Sequence, residues 1–262
     1  MNDGLDLLVL GAHPDDAEVH VGGLLALASD RGLKAAILDL TAGELGTRGT
    51  PETRRAEAQA AAKLLGVQRI VMDFPDGRFT EEERFRVRLM AEFRSLRPRV
   101  LILPAPEDRH PDHRRAHRLG REAAYYAGLK NYPCEDAAGA TSHGPEDRPK
   151  GEAQEGPRVG KPWRPEAVAW VGGERPGAPD LLVDVSAVWE RRMAAFDAFG
   201  SQFDQDPSQP PTRIAHPAFR RGVLGRAMHW GSLRMCDWAE ALWCEKPVPP
   251  ALLRLLAVLE SA

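Results

Sequence analysis

The sequence has few cysteines and no long apolar run. Its three cysteines, Cys134, Cys236 and Cys244, are odd in number and never spaced as Cys-x-x-Cys. This usage fits a reducing compartment better than a disulfide framework. No apolar stretch approaches the roughly 18 residues that a membrane-spanning helix needs. The N-terminus also lacks the basic start and apolar core of a secretory signal. We therefore expect a cytoplasmic protein with no membrane partner.

The net charge is small as well. Thirty-five Lys and Arg residues oppose 38 Asp and Glu residues, which gives a formal charge of −3, and the basic residues are dispersed. A clustered basic surface is typical of nucleic-acid-binding proteins, so we expect no nucleic-acid partner. A chain of 262 residues can bury one large core or two modest ones. We predict a single domain over residues 1–262.

Alternating strand and helix patterns predict the fold. Apolar runs predict strands at residues 5–11, 35–40, 69–72, 100–104, 167–171 and 181–185. Helices are predicted at 22–30, 51–65, 81–96, 112–128 and 187–199, and helical segments broken by prolines beyond them. This alternation indicates an α/β fold, Rossmann-like, with a mostly parallel sheet flanked by helices. Residues 134–165 are polar and rich in Gly and Pro, which predicts a flexible insertion.

Two clusters of imidazoles and carboxylates follow predicted strands. The first is Ala-His-Pro-Asp-Asp-Ala-Glu at 12–18, and the second is His-Pro-Asp-His at 110–113. Side chains at the carboxyl ends of neighbouring parallel strands meet in one crevice. We therefore predict that His13, Asp16 and His113 bind one divalent metal and leave a position for water. A single His-Pro-Asp-Asp is also compatible with an ordinary turn and helix cap, but two such clusters favour a metal site.

The remaining polar residues of the clusters suggest hydrolytic chemistry. Asp15 can act as general base. His110 can stabilise an oxyanion or protonate a leaving amine, and Asp112 can orient it by pairing with its other ring nitrogen. Arginines nearby are candidate anchors for a substrate carboxylate: Arg54 or Arg55, and Arg109. A His/Asp ligand set accepts Zn²⁺, Fe²⁺, Mn²⁺ or Co²⁺.

At these residues the chain resembles the PIG-L/LmbE-like family of zinc-dependent N-acetylglucosamine deacetylases. The family patterns Ala-His-Pro-Asp-Asp-x-Glu and His-x-Asp-His are met at 12–18 and 110–113. Further stretches resemble the branch that removes acetate from N-acetylglucosaminyl-malate in bacillithiol biosynthesis. They are the Gly-rich loop 41–50, Pro-Asp-Gly at 75–77, 108–113 and Ser-Gln-Phe at 201–203.

The resemblance implies roles for individual residues. It implies Zn²⁺ held by His13, Asp16 and His113, with Asp15 as base. His110 paired with Asp112 would then stabilise the oxyanion or act as acid. Substrate contacts would come from Arg54 and, for the malate carboxylates, Arg109. A tyrosine of the family's C-terminal part is absent, with Phe219 as its nearest counterpart, and Glu18 fits the motif without an assigned role.

The expected function is metal-dependent removal of an N-acetyl group from an N-acetylglucosaminyl conjugate, most simply the malate conjugate. Alternatives are deacetylation of a chitin fragment or another thiol precursor, and amide hydrolysis of a thiol S-conjugate. A different class is a non-enzymatic binding module in which the metal only holds strand ends together. For each of the enzymatic functions, the expected partner is a small-molecule substrate. Similar proteins commonly assemble, so the resemblance allows a homo-oligomer.

Overall fold

A seven-stranded sheet forms the centre of the fold. The computed structural model describes residues 4–132, 160–172 and 177–260. The strands are β1 (Leu7–Gly11), β2 (Ala35–Asp39), β3 (Gln68–Val71), β4 (Val100–Leu103), β5 (Ala167–Val171), β6 (Leu181–Asp184) and β7 (Ala239–Cys244). They are ordered β3-β2-β1-β4-β5-β7-β6. The first five in this order pair in parallel, and β7 is antiparallel to both of its neighbours.

Helices cover both faces of this sheet. They are α1 (Asp16–Asp30), α2 (Pro51–Leu65), α3 (Glu83–Leu96), α4 (Pro111–Ala127), α5 (Trp189–Asp197), α6 (Gly200–Phe203), α7 (Pro217–Arg234) and α8 (Pro250–Glu260). Leu7 and Val9 of β1 pack into one core with α1, α2, α5 and α8, whereas Leu8 and Leu10 pack into a second core with α3 and α4. This alternation is the two-residue period of a strand buried on both sides. The predicted α/β, mostly parallel fold is confirmed.

Two elements differ from the sequence-based expectation. Residues 239–244 form strand β7, where only helical segments are predicted. The first helix begins at Asp16 rather than at residue 22, and it continues through two glycines. A Cβ at Gly23 would lie 2.7 Å from the side chain of Val185, so close packing requires glycine there. The glycines therefore admit a neighbouring side chain and do not mark the start of the helix.

Helix α1 is broken in its second turn, and two buried charged side chains replace the missing backbone hydrogen bonds. Val21 has φ = −140°, outside the helical range. The carbonyl of Val19 accepts the Arg192 guanidinium at 2.9 Å. The N–H groups of Gly23 and Leu24 both donate to the Glu240 carboxylate at 2.8 Å. Because a buried backbone group without a partner is costly, Arg192 and Glu240 stabilise this break.

Other sequence-based predictions concern the chain as a whole. In the described parts of the chain, no helix has both the length and the apolar composition that crossing a bilayer requires. Residues 134–159 of the predicted insertion at 134–165 lie outside the described residues. The single domain over 1–262 stays a prediction.

Candidate metal centre and active site

The first cluster forms a tight turn between β1 and α1. One oxygen of the Asp16 carboxylate accepts the backbone N–H groups of Ala12 at 2.8 Å and His13 at 3.0 Å. Asp15 has φ = 114°, a left-handed conformation that residues other than glycine seldom adopt. Such strain persists where surrounding contacts impose it, and it concentrates at functional sites. The turn holds the side chains of His13, Asp15 and Asp16 at the carboxyl end of β1.

The second cluster lies between β4 and α4. His110 caps α4, and its Nδ1 accepts the backbone N–H of Asp112 at 3.3 Å. The backbone N–H of His110 donates to Asp108 at 2.7 Å. Pro111 occupies the first helical position, where its missing N–H costs no hydrogen bond. Since β4 is a parallel neighbour of β1, α4 carries Asp112 and His113 into the crevice formed by the first turn.

The structure brings the three predicted metal ligands together. His113 Nε2 lies 3.1 Å from Asp16 Oδ1, and His13 Nδ1 lies 3.8 Å from Asp16 Oδ2. Four-coordinate Zn²⁺ with ligands at about 2.0–2.1 Å separates neighbouring donor atoms by about 3.3 Å. The two imidazoles approach different oxygens of the Asp16 carboxylate, and their ring centroids lie 5.6 Å apart. The three side chains are therefore a candidate donor set for one divalent cation.

Carboxylates contact the far ring nitrogens of both histidines. Asp108 Oδ1 lies 3.4 Å from His113 Nδ1. His13 Nε2 lies 3.2 Å from Asp76 and 3.3 Å from Asp112. Metal-binding histidines commonly donate their second N–H to a carboxylate, which fixes the tautomer. Sequence reasoning gave Asp76 and Asp108 no role, although both stand within the stretches that carry the family resemblance.

The electrostatics of the site favour a cation. Burial lowers the pKa of His13, but hydrogen bonds with Asp112 and Asp76 outweigh this effect and raise it to about 9. Burial also lowers the pKa of His113, but Asp16 and other carboxylate contacts raise it to about 10. Burial raises the pKa of Asp16, yet His113 and His13 hold it far below its usual range. A divalent cation can take the place of the protons on the two imidazoles, because metal ligands bind in their deprotonated form.

Two other groups of candidate ligands share His13. One is His13, His110 and His113, and the other is His13, Asp76 and Asp112. One ligand atom each from His13, Asp76 and Asp112 lies within 4.8 Å of the others. The Asp112 carboxylate, however, already accepts the N–H of Gly77 at 2.9 Å and the Arg115 guanidinium at 2.6 Å. An arginine on this carboxylate disfavours a cation beside it. The group around Asp16 is therefore the stronger candidate metal centre.

Asp15 lies beside the candidate ligands and pairs with Arg54. The guanidinium of Arg54 is 3.2 Å from the Asp15 carboxylate, and it donates to the carbonyls of Pro14 at 2.6 Å and Gly43 at 3.0 Å. Burial raises the pKa of Asp15 to about 7, and the charge of Arg54 opposes this rise. Arg54, predicted to bind substrate, is buried and lines the cavity, where it holds the turn that carries Asp15.

The predicted pairing of Asp112 with His110 takes a different form. The backbone N–H of Asp112, not its carboxylate, contacts His110 Nδ1. The carboxylate instead contacts His13, Arg115 and a backbone N–H. The reason is the start of α4, where the cap residue accepts an N–H from the first turn. The exposed His110 ring still lies at the site, with its centroid 4.7 Å from that of His13 and 4.9 Å from that of His113.

Glu18 acquires a structural role. Its carboxylate lies 2.5 Å from Arg69 of β3, and the same guanidinium lies 2.6 Å from Asp39 at the end of β2. All three side chains are fully buried. A buried charge requires a partner, and this triad supplies one while joining α1 to β2 and β3 behind the site.

A cavity of about 1140 Å³ lies in front of the two clusters. Pockets for small molecules typically measure about 300–1,000 Å³, so this one has room for a sugar with a substituent. The exposed Arg109, beside His110, lines it. So does Phe219, whose ring stacks on that of Phe203 with centroids 5.9 Å apart. Phenylalanine offers no hydroxyl to a substrate oxygen, so this wall contributes an apolar contact.

Known proteins share this framework. The family model described as "PIG-L: GlcNAc-PI de-N-acetylase" matches residues 8–124, which include both clusters. The crystal structure of the conserved protein TT1542 from Thermus thermophilus is 36% identical, with a TM-score of 0.76, over 94% of this chain and 95% of that one. The chain belongs to the PIG-L family. The predicted family and the N-deacetylase class are thereby confirmed.

Two curated relatives differ in the reaction that their names describe. Diacetylchitobiose deacetylase of Thermococcus kodakarensis is 29% identical over 216 residues, covering 78% of this chain and 73% of the relative. The 4-oxalmesaconate hydratase of Pseudomonas putida is 28% identical over 250 residues, covering 90% and 87%. Similarity to these relatives therefore leaves the substrate open.

Proposed function

We propose that this PIG-L enzyme removes the N-acetyl group from an N-acetylglucosaminyl conjugate, with N-acetylglucosaminyl-malate as the preferred substrate and bacillithiol biosynthesis as its pathway. The observation that carries the proposal is the convergence of His13, Asp16 and His113 beside a carboxylate, Asp15, outside the candidate ligand set. Arginines along the cavity, including Arg109, suit a substrate with carboxylates. The same substrate follows from the resemblance to the malate-conjugate branch.

His13, Asp16 and His113 would hold the divalent cation, Zn²⁺ by resemblance, although Fe²⁺ suits the same donors. Such a cation lowers the pKa of a water molecule and polarises a carbonyl group. Asp108 contacts the imidazole of His113. Asp112 and Asp76 both contact the imidazole of His13. Asp112 thus acts as a positioning residue for His13 in addition to its backbone contact with His110.

Asp15 would accept the proton of the attacking water. The pKa of about 7 that burial gives this carboxyl suits a general base near neutral pH. Water adds to the acetyl carbonyl carbon, the C–N bond breaks, and the proton passes to the nitrogen, so that acetate and a free amine leave. His110 would donate a hydrogen bond to the carbonyl oxygen as negative charge develops there, or protonate the amine. Arg54 would hold Asp15, and Arg109 would bind a malate carboxylate.

The test measures acetate release by metal-loaded protein. The substrates are N-acetylglucosaminyl-malate, free N-acetylglucosamine, diacetylchitobiose and an N-acetylated thiol S-conjugate, with 4-oxalmesaconate as a hydration control. We expect fastest turnover of the malate conjugate. Faster turnover of diacetylchitobiose or the S-conjugate would keep the chemistry and reject the substrate. Hydration without acetate release would reject both. Inactivity on all substrates would favour the metal-stabilised binding module.

A further inference from the structure

The wall of the cavity formed by α7 carries a cation without an acidic partner. Arg226, on α7, lines the cavity. Among residues 4–132, 160–172 and 177–260, no carboxylate forms an ion pair with its guanidinium. The arginines Arg54 and Arg115 of the same cavity differ, because each pairs with an aspartate of the site. Arg226 is therefore a charge that the described part of the protein leaves uncompensated.

Other charged and titratable groups surround Arg226. A small pocket beside α7 is lined by Arg226, Arg192, His20 and Glu240, and the Glu240 carboxylate is already engaged by Arg192 and two backbone N–H groups. Burial lowers its pKa, and repulsion from Arg192 lowers it further. His20, one turn after Asp16 on α1, lines the cavity too. Burial lowers the pKa of His20 to about 3, and the charge of Arg226 contributes to this shift. His20 is consequently uncharged at neutral pH and does not add a second positive charge beside Arg226. An anionic group of a ligand would meet a cation with which no carboxylate in the described part of the chain forms an ion pair.

We propose that Arg226 is a specificity-determining residue that binds a carboxylate of the substrate's aglycone. The inference rests on the proposed function, in which the aglycone is a dicarboxylate. Arg226 and His20 line the same two pockets, and the larger of these also contains His13, Asp16 and His113. A guanidinium binds a carboxylate through two parallel N–H bonds, a geometry that a neutral sugar hydroxyl does not reproduce. Arg226 would thus favour acidic conjugates over neutral oligosaccharides.

The first experiment compares Arg226→Gln with Arg221→Gln, a matched variant of an exposed α7 arginine that does not line the cavity. Steady-state kinetics are measured on N-acetylglucosaminyl-malate and on diacetylchitobiose. We expect Arg226→Gln to raise KM for the malate conjugate relative to chitobiose by roughly 10- to 100-fold, with kcat little changed, as for loss of a charged hydrogen bond. Arg221→Gln should leave this ratio unchanged, and Arg226→Lys should recover part of it.

A binding experiment separates this inference from the proposed function. Calorimetry on chelator-treated protein compares the malate conjugate with methyl N-acetylglucosaminide, so turnover plays no part. Tighter binding of the acidic ligand that Arg226→Gln weakens about 10-fold or more would support the inference, even if the malate conjugate proved not to be a substrate. Equal binding of the two ligands by the wild-type protein, or an undiminished preference in Arg226→Gln, would overturn it.

Discussion

Asp15 and Asp16 are neighbours in sequence, yet their surroundings drive their pKa values in opposite directions. Burial raises the pKa of Asp15 to about 7, although the guanidinium of Arg54 contacts its carboxylate and opposes the rise. Asp16 lies between the imidazoles of His13 and His113, which hold its pKa far below the usual range. Opposite shifts in adjacent carboxyl groups are typical of sites that assign them different tasks. We infer that Asp16 stays ionised as a ligand while Asp15 exchanges protons.

Asp15→Asn should therefore separate metal binding from turnover. The amide keeps the shape of the side chain but cannot take a proton from water. We expect kcat to fall by about 10²–10⁴-fold, the usual contribution of a general base, while the metal content stays at the wild-type level. Acetate release and metal analysis measure the two effects. Asp237→Asn, at an exposed site, is the control, and substantial residual activity in Asp15→Asn would remove Asp15 as the base.

Asp108 permits a second test at the residue scale. Its carboxylate lies 3.4 Å from Nδ1 of His113, so Asp108→Asn should weaken the orientation of that ligand. We expect the metal affinity to fall about 10- to 100-fold, as for other carboxylates that hold a metal-bound histidine. Competition with a chromophoric chelator measures the affinity. Glu107→Gln, which changes the adjacent exposed carboxylate, is the control. An equal decrease in metal affinity in both variants would mean that the lost negative charge, and not the contact between Asp108 and His113, is responsible.

At the scale of elements, local sequence predicted what local interactions determine. Strands β1 and β4 are short buried apolar runs. Each is followed by a polar cluster whose turn is formed by hydrogen bonds between neighbouring residues of the chain. The sequence analysis missed strand β7 because the strand includes the charged Glu240. The carboxylate of Glu240 is buried in contact with α1 and α5, which the local sequence does not reveal. The break in α1 was also missed, since the residues that stabilise it, Arg192 and Glu240, lie far along the chain. The contact of Asp76 with His13 likewise depends on the fold.

The break in α1 predicts a large stability effect at Glu240. Its carboxylate accepts two backbone N–H groups and lies 3.5 Å from the buried Arg192. Glu240→Ala leaves both the N–H groups and the guanidinium without this partner. We expect the free energy of unfolding to fall by about 3–5 kcal/mol, the usual cost of removing one member of a buried pair.

Denaturant unfolding of Glu240→Ala and of Glu245→Ala measures this difference. Glu245 forms an exposed ion pair with Arg121, whose loss should cost at most about 1 kcal/mol. Glu240→Gln keeps an acceptor oxygen and should lie between the two. A similar decrease in the free energy of unfolding for both Ala variants would mean that Glu240 and Arg192 contribute little to stability.

At the scale of the whole molecule, the candidate metal centre joins segments that are distant in sequence. His13 and Asp16 follow β1, and His113 lies on α4 after β4, a direct neighbour of β1 in the sheet. The order of the parallel strands could be anticipated only in part, whereas the convergence of strand ends followed from parallel pairing itself. A cation bound there would connect the first turn of the chain to α4 across the carboxyl edge of the sheet.

Metal removal should consequently lower the thermal stability of the folded chain. A ligand that binds only the folded state at a free concentration 100 times its Kd adds about 2.7 kcal/mol. For a domain of this size, 1 kcal/mol shifts Tm by about 2–4 °C. We therefore expect chelation to lower Tm by several degrees and added Zn²⁺ or Fe²⁺ to restore it. Asp16→Asn should remove this response, and His229→Gln, at an exposed histidine, should retain it. A full response in Asp16→Asn would place the cation elsewhere, with the carboxylates around His13 Nε2 as the next candidates.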